Sequence, residues 1–269
     1  METIGFIGGG NMAQALIKGI IKAKVYKSRN IFVSDIKPER LAYLSEEYGI
    51  QTVGGNKALA GKVDTLVLSV KPQIMAAVLG EIKDAVRTKT LIISIAAGKR
   101  IAAIAGVLGD AAIVRVMPNT PALIGEGVSA LFANEKGKSM LDKAKSIFSA
   151  VGKIVIVENE DLIDAVTAVS GSGPAYYFLL MEEMIKAAVK LGLSENAAKE
   201  LVLQTARGAA LLAIEGDKKG ESPAVLRQKV TSPGGTTEAA LRVLADGKLG
   251  ILLANAIEKA CERSRELSK

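Results

Sequence analysis

The sequence predicts an α/β fold: a doubly wound, mostly parallel sheet in residues 1–158, followed by an all-helical C-terminal domain in residues 159–269. Short apolar runs alternate with amphipathic stretches through the first part, the pattern of right-handed βαβ units. A glycine-rich loop joins the first apolar run to the first helical stretch. Strand-like runs end near Asn159, and long helical spacing rich in Ala, Leu, Glu and Lys replaces them.

In chain order, Ile4–Ile7 reads as a buried strand and Met12–Ala23 as the helix after it. Ile31–Val33 is a second strand. Pro38–Tyr48 is a second helix with its proline in the first turn, where a missing N–H costs nothing. Thr65–Leu68, Leu91–Ile93, Ile113–Val114 and Ile154–Val157 are further strands. The second domain is carried by helical stretches at Pro174–Leu191, Ser194–Glu215 and Leu249–Leu267. No repeat, low-complexity tract or flexible linker interrupts the two.

Composition removes whole classes of chemistry. The 269 residues include no histidine, no tryptophan and one cysteine. Ser-His-Asp and Cys-His catalysis, histidine-ligated zinc and a histidine general acid are thereby excluded from this chain, as are a disulfide framework and a cysteine-cluster metal site. No metal site is expected. With 49% hydrophobic and 23% charged residues the chain is of ordinary globular type. The start runs straight into glycines, and the longest uncharged run is broken by Ser170–Pro174, so neither a signal peptide nor a membrane span is expected and the compartment expected is the cytoplasm. The net charge of +7 divides into +9 on residues 1–157 and −2 on residues 158–269. That suits a field attracting an anionic cofactor, or simply a solubilising surface. Nucleic acid is not an expected partner, because the basic residues are scattered and aromatic residues make up 4%.

Ile7 leads into Gly8-Gly9-Gly10-Asn11-Met12-Ala13, which fits G-x-G-x-x-A between a strand and a helix. Gly8 allows the tight turn, Gly10 lets a pyrophosphate approach the backbone, and Ala13 keeps the helix close to the strand. The amides at the helix start, at Asn11 and Met12, receive phosphate. The second strand ends at Ser34-Asp35. An acid at that place bonds the ribose 2′-hydroxyl, which favours NAD(H), while Lys37 and Arg40 lie close enough to offset its repulsion of a 2′-phosphate, so NADP(H) stays open. Asp35 alternatively caps the helix at Pro38.

Further motifs stand at strand ends and in the helical part. They are Ser69-Val70-Lys71-Pro72, Ser94-Ile95-Ala96-Ala97-Gly98, Met117-Pro118-Asn119-Thr120-Pro121, Asp161–Thr167, Ser170-Gly171-Ser172-Gly173-Pro174-Ala175-Tyr176 and Ser232-Pro233-Gly234-Gly235-Thr236-Thr237. Together with the glycine loop they resemble the pyrroline-5-carboxylate reductase family along the whole chain. The resemblance implies a Rossmann-type first domain and reduction of the cyclic imine 1-pyrroline-5-carboxylate to L-proline with NAD(P)H. It also implies a homodimer with interlocked helical domains, which assembles into larger homo-oligomers in some members.

Residue by residue, the resemblance makes Ser69, Val70, Lys71, Pro72, Ala96 and Ala97 cofactor contacts beside Ile7, Gly8, Gly10, Asn11, Met12, Ser34, Asp35 and Asn56. Lys71 reads otherwise as a solvated loop lysine fixed by Pro72, and Asn56 as the cap of a short helix at Lys57. Asn119-Thr120 either reaches towards the nicotinamide or forms a turn. Gly234 and Gly235 expose amides before a helix, a carboxylate site built without arginine. The resemblance implies that with Thr236 they form the substrate site and that Thr237 is the catalytic group, against the imine nitrogen; a plain helix cap is the alternative. Glu160 matches a position near the substrate amine, or is an acidic helix start. Hydroxyacid dehydrogenases of similar build use a lysine one turn into the helix after a glycine loop. Tyr176 and Tyr177 stand there instead.

Overall fold

The computed structural model describes residues 2–268. Eight strands form one sheet in the order β3-β2-β1-β4-β5-β6-β7-β8. The strands are β1 Ile4–Ile7, β2 Ile31–Ser34, β3 Gln51–Thr52, β4 Thr65–Leu68, β5 Leu91–Ser94, β6 Ala112–Met117, β7 Gly127–Ala133 and β8 Gly152–Ile156. β1 to β6 are parallel, β7 runs antiparallel to β6, and β8 runs parallel to β7. The chain winds outward from β1 to β3, then returns to β4 on β1's other side. That reversal opens a crevice at the strand ends, where a doubly wound sheet takes its ligand.

Alternation of side chains across the pleat divides the core. Ile4, Phe6, Ile31, Val33, Val67, Leu91, Ile93, Val114 and Leu131 face one side. There they meet α1 Asn11–Lys22, α2 Pro38–Tyr48 and α7 Leu141–Ser149 through Leu16, Ile17, Ile20, Leu44, Ile147 and Phe148. Ile7, Phe32, Leu66, Leu68, Ile92 and Ile113 face the other side, towards α3 Asn56–Ala60, α4 Met75–Ile82 and α5 Ile101–Leu108. At Gly5 α3 packs close to β1: a Cβ there would lie 2.9 Å from Leu59 Cδ1 and 3.1 Å from Val63 Cγ1, so a larger residue would force those side chains to shift.

A short α6 Glu135–Lys138 precedes α7, and α8 Leu162–Val166 leads through a π-helical turn at Thr167–Gly171 into α9 Gly173–Lys190. The remaining helices are α10 Glu195–Asp217, α11 Pro223–Lys229, α12 Thr236–Asp246 and α13 Leu249–Leu267. The fold class is the one the sequence predicts. Strands β3 and β7 and the π-helical turn are additions to the sequence reading, and β6 runs past Val114 to Met117.

Packing divides the chain into Met1–Pro174 with Lys259–Lys269, and Ala175–Glu258. This differs from a break at 158. Ile163 and Ala168 are buried in the sheet unit, Glu160 pairs with Arg115 of β6, and the end of α13 returns Ser264 to Asp164. The second unit is helical, and among its described residues only Ala198, Val202 and Gly216 are buried within helices. Among the described residues no helix is long and apolar enough to cross a membrane.

Candidate active site

The glycine loop is held from both flanking strands. Gly8 N–H donates to the Ser34 carbonyl at 2.8 Å, and Ser69 Oγ donates to the carbonyls of Ile7 and Gly8 at 2.9 and 2.6 Å. Gly8 has φ +94°, and a Cβ there would sit 2.7 Å from the Ser69 carbonyl oxygen. Gly10 is different. It is the exposed N-cap of α1, carries no capping side chain, and has nothing within 4 Å of where a Cβ would stand. The first amides of α1, from Asn11 and Met12 onward, therefore open on free space. Ala13 is 1% exposed and sets α1 against the sheet.

At the end of β2, Asp35 Oδ2 accepts from Gly9 N–H at 2.6 Å and Oδ1 from Lys37 N–H at 2.9 Å. One carboxylate thus fixes the glycine loop and closes the turn before α2. Arg40, on α2, donates to the Gly9 carbonyl and to Gln14 Oε1. Gly9 has no assigned role in the sequence reading, and Arg40, expected there to offset repulsion of a 2′-phosphate, is engaged on the loop instead. Ser34 is buried and donates to Asn56 Oδ1 at 2.8 Å, and Asn56 Nδ2 donates to Glu81 Oε2 at 2.7 Å. Asn56 does not cap α3: Gly55 is the N-cap, and the asparagine side chain lies on β2 instead.

Ser69 and Val70 follow β4 directly beside Gly8, with Val70 Cγ1 3.2 Å from the Gly8 Cβ position. Lys71 is the exposed N-cap of the 3-10 turn that starts at Pro72. Ala96 and Ala97 follow β5, on a loop that turns at Gly98 (φ +66°) against Leu267. Ile7, Gly8, Gly10, Asn11, Met12, Ser34, Asp35, Ser69, Val70, Lys71, Pro72, Ala96 and Ala97 lie on the C-terminal ends of β1, β2, β4 and β5 or on the elements that follow them, and Asn56 opens α3 after β3. Asn119 does not reach out from this rim. Its Oδ1 accepts from Val128 N–H at 3.0 Å and its Nδ2 donates to Ser170, so it ties β7 to the π-helical turn.

Glu160 stands in a separate ionic cluster. Its Oε1 accepts from Ile101 N–H at 2.8 Å and from Arg115 Nη1 at 3.0 Å. Arg115 and Asp164 are each 1% exposed, and Ser264 Oγ donates to Asp164 Oδ1 at 2.6 Å. Arg100 is paired with Asp161, and that hydrogen bond raises the guanidinium's pKa further. A cavity of about 460 Å³ lies against this cluster, lined by Arg100, Asp161, Asp164, Arg265 and Ser268. The acidic side chain is engaged on the sheet, so its substrate role rests on the resemblance alone.

In the helical unit, Gly235 is the N-cap of α12 and no side chain caps the helix. Gly234 turns the chain at φ +70°, and Gly235 N–H donates to the Ser232 carbonyl at 3.0 Å. Glu238 reaches back and accepts from Gly234 N–H at 2.8 Å. Thr236 is exposed and Thr237 half-buried; Thr237 does not act as the cap. Glu238 was not a candidate from sequence, yet its contact shows that the Gly234 amide receives a carboxylate.

The loop, the switch point and the open start of α1 fit a dinucleotide: amides face free space where phosphates bind, and Gly10 admits them. With a helical unit carrying a second glycine turn, they define a nicotinamide-dependent oxidoreductase. The models of two families match, "Pyrroline-5-carboxylate reductase dimerisation" over residues 160–267 and "NADP oxidoreductase coenzyme F420-dependent" over residues 3–98. A pyrroline-5-carboxylate reductase of Pseudomonas aeruginosa is 44% identical over 99% of this chain and 97% of its own length. The solved pyrroline-5-carboxylate reductase of Coxiella burnetii, 44% identical, superposes with a TM-score of 0.91 over 100% of this chain and 99% of its own. That of Plasmodium falciparum, solved with NADP bound, is 35% identical with a TM-score of 0.85 over 100% and 98%. The chain belongs to the pyrroline-5-carboxylate reductase family.

Proposed function

We propose that this chain reduces 1-pyrroline-5-carboxylate to L-proline with NAD(P)H, the last step of proline biosynthesis. The observation that carries the reading is the uncapped glycine turn Gly234–Thr237, in a chain without histidine that matches reductases of this imine along its length. When bound at the glycine loop, NAD(P)H supplies the hydride. The substrate carboxylate is held by the amides of Thr236 and Thr237, by that of Gly235 once it leaves the Ser232 carbonyl, and by that of Gly234 once Glu238 releases it. Thr237 Oγ1 hydrogen-bonds the ring nitrogen and places the imine carbon for attack. The nitrogen takes its proton from solvent, so no enzymic acid of the histidine type is needed. Ser69, Val70, Pro72, Ala96 and Ala97 shape the rim of the cofactor cleft, and Lys71 adds charge there. Positioning supplies most of the acceleration.

The chain acts as a homo-oligomer, supported by the dimerisation-family match over residues 160–267. Its helical domains interlock in a dimer, dimers assemble further, and the enzyme works in the cytoplasm. The bare apolar helices of the second unit support the first of these.

The test follows NADH and NADPH oxidation with 1-pyrroline-5-carboxylate and with a panel of keto acids. Turnover of the imine is expected, and no turnover with either cofactor overturns the reading. Thr237→Ala should lower kcat/KM by roughly tenfold to a thousandfold, the scale of one well-placed polar contact in a transition state. Thr237→Ser should recover much of it. An unchanged kcat/KM in the alanine variant removes Thr237 from the mechanism.

A further inference from the structure

We propose that this chain selects NADH over NADPH and that Asp35 makes the selection. The proposal rests on the reading of the glycine loop as the dinucleotide site. In a doubly wound sheet, the side chain at the C-terminal end of β2 meets the adenosine ribose of a dinucleotide held at the β1–α1 turn. A carboxylate there accepts from the 2′-hydroxyl, whereas a 2′-phosphate needs cations. Asp35 directly follows Ser34, the last residue of β2, whose carbonyl accepts the Gly8 N–H.

The Asp35 carboxylate is fixed in that place. Oδ2 accepts from Gly9 N–H and Oδ1 from Lys37 N–H, so backbone amides from two separate turns hold its two oxygens. Swinging aside for a phosphate would break both bonds and release the loop that carries the phosphates. Each oxygen keeps a further lone pair, enough for a ribose hydroxyl. The carboxylate is thus built for a donor and against an anion.

The neighbouring groups do not reverse this. Asn56 accepts from Ser34 and donates its amide to the Glu81 carboxylate, so its donor is already engaged. Arg40, the guanidinium suited to grip a phosphate bidentately, donates to Gly9 and Gln14 and lies over the Tyr43 ring, 5.1 Å from its centroid. Ile36, next to Asp35, is 89% exposed and offers no charge or side-chain donor. Lys37 is the remaining cation of the turn, a flexible point charge on the residue whose amide binds Asp35.

Calorimetric titration of the full-length protein with NADH, NADPH, 5′-AMP and adenosine 2′,5′-bisphosphate measures binding apart from turnover. The unmodified chain is expected to bind NADH at least about tenfold tighter than NADPH, and 5′-AMP tighter than the bisphosphate, with kcat/KM following the same order. Asp35→Ser should shrink that ratio about tenfold or more, chiefly by gaining NADPH affinity. Because Asp35 also braces Gly9, Ile36→Arg serves as the second variant: it leaves both Asp35 bonds in place and should tighten NADPH and the bisphosphate alone. Preference of the unmodified chain for NADPH overturns the proposal, as do ratios within about twofold of the unmodified chain's in both variants. Binding of none of the four ligands instead overturns the dinucleotide site itself.

Discussion

Two glycines of one loop, Gly8 and Gly10, separate the demands of folding from those of binding. At Gly8 a methyl would meet the Ser69 carbonyl at 2.7 Å, in a backbone conformation with φ +94°. Both the strain and the clash are with rigid backbone, so Gly8→Ala should cost about 2–4 kcal/mol of stability, read by urea denaturation. At Gly10 the φ is −65° and the space around a Cβ is empty. Gly10→Ala should leave the urea midpoint unchanged while weakening NADH and NADPH by about tenfold or more, because the methyl occupies the approach of the pyrophosphate. A loss of stability in the second variant, or none in the first, would contradict this division. The spacing of Gly8, Gly10 and Ala13 was visible in the sequence because the motif is local. Glu238 on Gly234, Arg40 on Gly9 and Arg115 on Glu160 were not. Many helices carry a glutamate or arginine like Glu238 and Arg40, and Arg115 interrupts a strand, so only the fold says which distant group each of them meets.

Strand β6 shows how one residue can hide an element and then hold several together. Its Ala112–Val114 start is apolar, but Arg115 interrupts the run, so the strand seems to end early in sequence. In the fold that arginine is 1% exposed, with Glu160 at 3.0 Å and Asp164 Oδ1 at 3.9 Å. Ser264 closes the cluster from the end of α13, across a sequence separation of 100 residues. The cluster therefore joins β6, the start of α5, α8 and the last turns of the chain. Asp164→Ala leaves the buried guanidinium without its second anion and should destabilise by about 3–5 kcal/mol, whereas Ser264→Ala removes one hydrogen bond and should cost about 1–2 kcal/mol. Chemical denaturation measures both, and equal effects of the two variants would refute the ranking. The other elements missed from sequence lack a signal for a related reason. β3 is the two exposed residues Gln51–Thr52, and it exists by pairing with Phe32 and Val33. β7 mixes Gly127, Ser129 and alanines with its apolar residues, and gains its identity from the antiparallel partner β6. By contrast β1, β2, β4 and β5 are four-residue strands buried on both faces, legible as nearly unbroken apolar runs.

At the scale of the whole molecule, the two units differ in what they bury. The sheet unit has a core on both faces of its sheet. In the helical unit, Tyr177, Phe178, Leu179 and Leu180 form one continuous exposed run on α9, and Leu211, Leu212 and Ile214 on α10, Val243 and Leu244 on α12, and Ile251, Leu252 and Leu253 on α13 are exposed as well. Four consecutive apolar residues pass right round a helix, a pattern that belongs inside a core. Exposed apolar area on this scale exceeds what a soluble monomer carries and marks an interface between chains. On the proposed interlocked dimer, association would cover these residues, and folding of this unit and association would be one equilibrium. Phe178→Asp combined with Leu180→Lys should move the protein towards monomer in sedimentation velocity and lower its Tm, and the Tm of the unmodified chain should rise with protein concentration. Because the Gly234–Thr237 turn belongs to this same unit, the charged variant should also lose imine reduction while keeping the cofactor affinity proposed for the glycine loop of the sheet unit. A monomeric unmodified chain with full activity, or a charged variant that stays assembled, would break the link between association and the substrate site.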